Sequence, residues 1–330
     1  MKVSIRDVAQ HAGVSIATVS HVVNHTKYVS EEVTARVRQS IAELGYVPDS
    51  RARSFKKGSC NLIGFVIPDI SNYFWAIIIE EVETALALEG YHLIIANTKE
   101  NETREIEDLQ LLSSGMVDGL IIGSTLTDSE RIDRILPENF PIVFIDRQPL
   151  GCHHDSITIS NYGSIFNGVT QLIQAGHTRI GYICGLMRLS TSQERLQGYY
   201  DAMQRHGLPV EPEFVQPGDS MSMSALQPMR RLLDAGCTAM VISNNVMTDD
   251  VLAALQREPA YASRNIDVVA YQEGNHICAL EPPLALIDQP AAQMGRLAAQ
   301  QILARIKQPD APVKNVALSS NLTINAKTPR

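Results

Sequence analysis

Two hydrophobic rhythms divide the chain. In "SIRDVAQHA" the apolar residues Ile5, Val8, Ala9 and Ala12 fall at i, i+3, i+4 and i+7, which predicts one helix face. Gly13 then supplies a turn that a side chain would hinder. Ser15 is the expected N-cap of a second helix reaching about Asn24, with Val19, Val22 and Val23 at helical spacing. "HTKYV" reads as a loop. Ser30 is the expected cap of a third helix, with Glu31 and Glu32 in its first turn, Val33, Val37, Ile41 and Leu44 as its stripe, and Gly45 past its end. This is helix-turn-helix spacing. The second helix shows a face of Ile16, Ala17, Ser20, His21 and Asn24, without a single acid.

Residues 46–61, "YVPDSRARSFKKGSCN", form a basic connector, and Pro48 ends the element before it. "DSRARSFKK" has room for one or two helical turns. So short a helix is marginal alone in water and is expected to form only conditionally.

From residue 62 onward, short β-branched runs alternate with amphipathic helical patterns. The runs are "LIGFVI", "YHLIIA", "DGLIIG", "PIVFID", "SITIS", "RIGYIC", "TAMVIS", "NIDVVAY" and "LALI", with helices expected at Phe74–Glu89, Tyr162–Ala175 and Gln193–His206. Continuous Val, Ile and Leu suit strands buried on both faces of a parallel sheet. Alternating strand and helix predicts a doubly wound α/β body, and nine strands in two successive sets predict two similar subdomains. Ligands sit beyond the carboxyl ends of such strands, so "PDISNYF", "ANTKE", "GSTLTD" and "IDRQP" are expected at the rim of a cleft.

Composition narrows the class. The 330 residues are 45% hydrophobic and 19% charged, ordinary for a soluble globular protein of about two domains. No apolar run approaches the roughly 18 residues of a membrane span, and charges interrupt the N-terminus too early for a secretory signal. Five scattered cysteines without C-x-x-C point to a reducing cytosol and no metal cluster, and the pair His153–His154 is read as a loop feature. Residues 1–60 hold nine Lys/Arg against five Asp/Glu, a net +4, whereas the remainder is −12. A basic head on an acidic body implies that only the head meets a polyanion. Enzyme signatures are missing: there is no G-x-G-x-x-G after a strand, no P-loop, no G-x-S-x-G and no H-E-x-x-H. Asp146, Asp155 and His177 lie near predicted strand ends, but no nucleophile–base pair can be picked out among them.

"IRDVAQHAGVSIATVSHVVN" followed by "VSEEVTARVRQSIAELGYVPDSRARSFKKG" resembles the DNA-binding head of the LacI/GalR family of transcriptional regulators, and "TVSHVVN" is most similar to its purine and ribose repressor branch. The likeness extends through "IGFVIPDISNYFWAIIIEEVE", "GYHLIIANT", "VDGLIIG", "QAGHTRIGYICG" and "ERLQGYYDAMQRHGL", covering essentially the whole chain. It implies an all-α helix-turn-helix head over residues 1–47, a hinge helix and linker over 48–61, and a periplasmic-binding-protein-like α/β effector and dimerisation body over 62–330. Subdomain one is expected at 62–160 plus 290–318, and subdomain two at 161–289 plus 319–330.

The resemblance implies that the second helix enters the major groove. Ile16, Ala17 and His21 would read bases, the first two by apolar contact with thymine methyls and His21 by donating to guanine. Ser15, Thr18, Ser20 and Asn24 would sit at phosphates. In the hinge, Phe55 stands where the family usually has leucine and would wedge a minor-groove base step, with Arg51, Arg53, Lys56 and Lys57 supplying cation contacts. Effector contacts carried over by motif are Tyr73, Phe74, Ser124, Asp146 or Arg147, Arg195, Asn244 and Gln272. Gln272 and Ser160 replace acids usual in the family. That leaves room for an anionic effector if Arg147 and Arg195 are unopposed. The implied whole is a cytoplasmic, nucleoid-associated homodimer that needs no cofactor and binds a near-palindromic DNA operator and a small polar metabolite. A cytosolic sensor without a DNA role and an α/β enzyme acting on a sugar or nucleotide are the alternatives.

Overall fold

The computed structural model describes residues 3–24, 26–46, 59–258, 261, 264–272 and 284–325. The predicted connector helix, with Arg51, Arg53, Phe55, Lys56 and Lys57, lies outside them. Residues 1–60 form one compact unit and 61–330 another.

In the first unit, α1 (Ile5–Ala12), α2 (Ile16–Asn24) and α3 (Glu31–Leu44) enclose a small core of Val8, Ala9, Ala12, Val19, Val22 and Val37. Ser4 and Asp7 cap α1 reciprocally, and the hydrogen bonds from Ser4 hold the Asp7 carboxyl below its ordinary range. Gly13 takes φ 64° at the end of α1, which lets its N–H reach back to the helix carbonyls. The Ser15 hydroxyl accepts from Thr18 N at 3.1 Å and so caps α2. Ser30 occupies the N-cap position of α3, but its side chain makes no capping hydrogen bond, which corrects the expectation for that residue. The two acids behind it still complement the helix dipole.

The second unit contains two six-stranded sheets. In the first, β1 (Leu62–Ile67), β2 (His92–Asn97), β3 (Gly119–Ile122), β4 (Ile142–Asp146), β5 (Asp155–Ile159) and β11 (Asn315–Leu318) lie in the order β11-β5-β4-β3-β1-β2, all parallel. The second contains β6 (Ile180–Ile183), β7 (Val215–Gln216), β8 (Ala239–Ile242), β9 (Asp267–Gln272), β10 (Ala285–Asp288) and β12 (Asn321–Ile324), in the order β12-β10-β9-β8-β6-β7. Only the β10–β12 pairing there is antiparallel. All nine anticipated runs are strands, and β7, β11 and β12 are additional.

Helices cover both faces of each sheet. On the first lobe these are α4 (Tyr73–Leu88), α5 (Glu102–Ser113), α6 (Ser129–Asp133) and α11 (Ala291–Lys307); on the second they are α7 (Asn161–Gln174), α8 (Ser190–Arg205), α9 (Leu226–Asp234) and α10 (Asn245–Arg257). Ile63, Phe65 and Ile67 pack on α4 and α11, while Val66, Leu120 and Ile122 pack on the opposite side of the same sheet. Each such fully buried side chain contributes about 1.5–3 kcal/mol, which is why these strands are apolar throughout. The chain passes between the lobes three times: after β5, between β10 and α11, and between β11 and β12. A buried ion pair fixes the return segment. Arg305 of α11 donates to both oxygens of Asp155 at 2.7 and 2.9 Å, and Asp155 Oδ1 also accepts from Lys314 N at 2.8 Å.

Candidate functional site

On the head, Ser15, Ile16 and Ala17 are exposed at the start of α2, while Thr18, Ser20, His21 and Asn24 are half-buried along it. Ile16 is 44% exposed although it is a large aliphatic, so it is available to another molecule. Val19 and Val22 turn inward, which fixes the orientation of the uncharged face. His21 Nδ1 lies 2.8 Å from Thr26 Oγ1, so the ring is held by one nitrogen. Asn24 donates to the Ser20 carbonyl at 2.9 Å.

In the body, the loops after the strands of both lobes meet around a cavity of about 50 Å³ that opens to solvent. Five of the anticipated effector residues line it: Phe74, Asp146, Arg147, Arg195 and Asn244. The other three do not. Tyr73, the first residue of α4, is 48% exposed. Ser124 is fully buried and turned away, its hydroxyl 2.5 Å from a Glu105 carboxylate oxygen. Gln272 ends β9 at half-burial.

Arg195 is fixed from three sides. Its Nε donates to Asn161 Oδ1 at 2.8 Å and its Nη1 to the Ser243 carbonyl at 2.5 Å, and its guanidinium lies 4.5 Å from the centre of the Tyr271 ring. Asn161 takes this role because its amide nitrogen is engaged by the Ile159 carbonyl at 3.1 Å, which aims its oxygen at Arg195.

Asp146 sits at the centre of a γ-turn. Arg147 N donates to the Ile145 carbonyl at 2.7 Å, and Asp146 itself adopts φ 65°. Strained backbone of this kind collects at ligand clamps. Burial pushes the Asp146 carboxyl above its ordinary range, against the pull of Arg147 and Arg195. Burial alone would lower the Arg147 guanidinium, but the carboxylates of Glu100, Asp146 and Glu105 together outweigh it and hold the group above its usual value.

The anionic-effector expectation is overturned at Arg147. This residue is not unopposed: its two terminal nitrogens donate to both oxygens of Glu100 at 2.6 and 3.0 Å. Asp69 also faces the cavity, so three carboxylates (Asp69, Glu100 and Asp146) stand against two guanidiniums in its wall.

Sequence reasoning missed Glu100, Trp75, Ser192, Ser220 and Asn245, which also line the cavity. Gly185 explains how the serines converge. A Cβ there would lie 2.6, 2.8 and 3.3 Å from the hydroxyls of Ser220, Ser192 and Ser243. The buried polar atoms Asp146 Oδ1, Arg147 Nε and Ser243 Oγ have no hydrogen-bond partner among the described residues. Of the three, Asp146 and Arg147 line the cavity and Ser243 does not. The pair His153–His154 is unrelated to the cavity: His154 lies 2.6 Å from Asp133.

Residues 4–49 match the family described as "Bacterial regulatory proteins, lacI family", and residues 61–329 match "Periplasmic binding proteins and sugar binding domain of LacI family". The chain belongs to the LacI family. It is a DNA-binding transcription regulator controlled by a metabolite. Among its relatives, the ribose operon repressor of Escherichia coli K12 is 33% identical over 93% of this chain and 94% of that one. The transcriptional repressor PurR of Aliivibrio salmonicida is 30% identical over 92% of each. The solved complex of the transcriptional regulator CelR with cellobiose is similar at 27% identity, covering 98% of this chain and 99% of that one, with a TM-score of 0.71. The Lac repressor bound to ONPG in its repressed state is similar at 25% identity over 98% of each chain, with a TM-score of 0.82. In a LacI-family protein the uncharged face of α2 has a clear physical use. Small residues let the helix approach base edges and phosphates, where carboxylates would be repelled. Among the described residues, no helix is long and apolar enough to cross a membrane.

Proposed function

We propose that this regulator is a cytoplasmic homodimeric repressor whose effector is an uncharged, polyhydroxylated metabolite of sugar size, bound without turnover and without a cofactor. One observation carries the effector class: the bidentate Arg147–Glu100 pair cancels the charge that an anionic ligand would need. What remains is an unsatisfied acceptor at Asp146 Oδ1 and an unsatisfied donor at Arg147 Nε, in a wall that also holds Phe74, Trp75, Ser192 and Ser220. A hydroxyl both donates and accepts, so a run of hydroxyls on an apolar ring satisfies such a set. Relatives named for ribose regulation accord with this chemistry.

On DNA, each head reads one half-site through Ile16, Ala17 and His21, with Ser15, Thr18, Ser20 and Asn24 at phosphates, and the two-fold axis of the dimer sets the near-palindrome. The connector residues Arg51, Arg53, Phe55 and Lys56 complete the reading in the minor groove. Effector binding changes the separation of the two connectors and hence their engagement with DNA.

The test is selection of DNA fragments by the purified protein, followed by calorimetry with D-ribose, other neutral sugars, their acids and phosphates, and purine bases. The reading predicts a salt-dependent palindromic site and binding confined to neutral sugars. Binding only of a sugar acid or phosphate would reject the effector class, and turnover of any bound compound would favour the enzyme alternative.

A further inference from the structure

The segment leaving β2 turns sharply at Lys99 and Glu100, two consecutive non-glycine residues at φ 53° and 54°. Side chains disfavour this region, so such a pair persists only where the surroundings impose it. Here Glu100 N is tied to the Pro68 carbonyl at 3.2 Å and Thr98 N to the Ile67 carbonyl at 2.9 Å. The turn delivers the Glu100 carboxylate into the cleft, where its side chain is only 11% exposed.

That carboxylate holds two guanidiniums from different lobes. Arg147, of its own lobe, takes both oxygens. Arg188 lies in the loop between β6 and α8 of the other lobe, and its Nη2 reaches the Glu100 carbonyl at 3.1 Å and Oε2 at 3.4 Å. A second bridge runs from Asn245 Nδ2 to Asn72 Oδ1 at 2.7 Å. Arg147 already neutralises Glu100, so simple charge balance does not require Arg188. Its grip on a main-chain carbonyl as well as the carboxylate is a two-point hold on a rigid turn.

We propose that the Arg188–Glu100 contact is an interlobe latch that favours the arrangement in which the two lobes meet across the cavity, and so helps set the position of the switch. Its regulatory meaning rests on the effector-controlled reading above; the latch itself does not. If the effector binds the closed body, a latch that populates this form beforehand raises apparent affinity and narrows the response of DNA binding to effector, because part of the change has already occurred. Releasing it should do the reverse, moving the two quantities in opposite directions.

The experiment uses the full-length, ligand-free protein carrying Arg188→Met, Glu100→Gln or both, with Arg188→Lys as a milder variant and Arg134→Met as a surface control. Small-angle scattering and hydrogen exchange are measured, with thermal unfolding as the check that each variant folds. Arg188→Met should increase the radius of gyration and speed exchange about tenfold at residues 98–101 and 186–189, and Glu100→Gln, which keeps the main-chain carbonyl, should do so less. The double variant should open no further than Arg188→Met, as a shared contact requires. Arg188→Lys should fall between, keeping the charge on a side chain that places its donor differently. Unchanged scattering and exchange in folded single variants, or strictly additive opening in the double, would overturn the latch. Failure to find an operator or an effector would sink the proposed function and leave this result standing.

Discussion

Asn161 Oδ1 accepts a hydrogen bond from Arg195 Nε at 2.8 Å, and this contact aims the one cation of α8 that lines the cavity. Asn161 opens α7 and Arg195 lies within α8, so two helices of one lobe must be in register for the guanidinium to point correctly. Arg195→Lys keeps the charge but loses the planar fork that serves Asn161 and Ser243 together. Effector affinity should fall by about tenfold to a hundredfold, the range for a hydrogen bond to a charged group. Asn161→Ala should produce a smaller loss by freeing the ring-stacked guanidinium. Calorimetry with a sugar that binds the wild type checks both, while operator binding without effector should stay at the wild-type level.

This site was half legible in the sequence, and the reason is local. Arg195 stood out because "ERLQGY" is a family motif, and Phe74, Asp146 and Asn244 were likewise carried over from matching family positions. Glu100 lies in "ANTKE", which was expected at the rim, but its importance comes from two left-handed residues and a partner 47 positions away. Neither leaves a composition signal. Ser124 failed for the converse reason: it follows β3 as expected, but a buried carboxylate on α5 draws its hydroxyl away from the cleft.

The fold was more legible than the site. "LIGFVI" and "PIVFID" are apolar without interruption because both faces are covered, and such runs admit one reading. By contrast, β11 and β12 are short and mostly exposed, and β7 is two residues long. These strands are held by pairing to a neighbour, which a one-dimensional pattern cannot display.

Glu105 should prove a structural residue of the first lobe. Its carboxylate is fully buried and accepts from the Ser124 hydroxyl, from Thr125 N at 2.6 Å and from Leu126 N at 3.2 Å. Glu105→Leu removes both acceptor oxygens and strips the buried Thr125 and Leu126 N–H groups of their acceptor. The expected cost is about 1–3 kcal/mol, the penalty for a buried unsatisfied group. Chemical denaturation of the body should show a lower midpoint with an unchanged slope.

Acid should stabilise the ligand-free body through Asp146. Burial holds its folded-state carboxyl above the ordinary range, so the native protein binds that proton more tightly than the unfolded chain does. The associated stability is fully present below the ordinary carboxylate value and is lost as pH rises through the raised one. Asp146→Asn should therefore be relatively more stable near neutral pH and should flatten the gain in melting temperature on mild acidification. It should also weaken effector binding, since Asp146 Oδ1 is an acceptor without a partner. Thermal unfolding across weakly acidic to neutral pH checks the first, and calorimetry checks the second.

The last prediction concerns base reading by the head. His21 Nδ1 lies 2.8 Å from Thr26 Oγ1, and this contact decides what the other ring nitrogen offers. When the Thr26 hydroxyl donates to Nδ1, the proton sits on Nε2 and the ring donates to guanine N7 or O6. When Nδ1 donates instead, Nε2 accepts and suits the amino group of adenine or cytosine. Thr26→Val keeps the shape but can neither donate nor accept, so both tautomers become open to His21. Selection from a randomised operator pool should then show relaxed preference at the one position in each half-site that His21 reads, by about tenfold, one well-placed base contact. Positions read by Ile16 and Ala17 should keep their preferences, because their apolar contacts do not depend on the imidazole proton. His21→Ala should abolish preference at the same position and nowhere else. If the selected sites of wild type and Thr26→Val coincide at every position, His21 does not read a base through this arrangement.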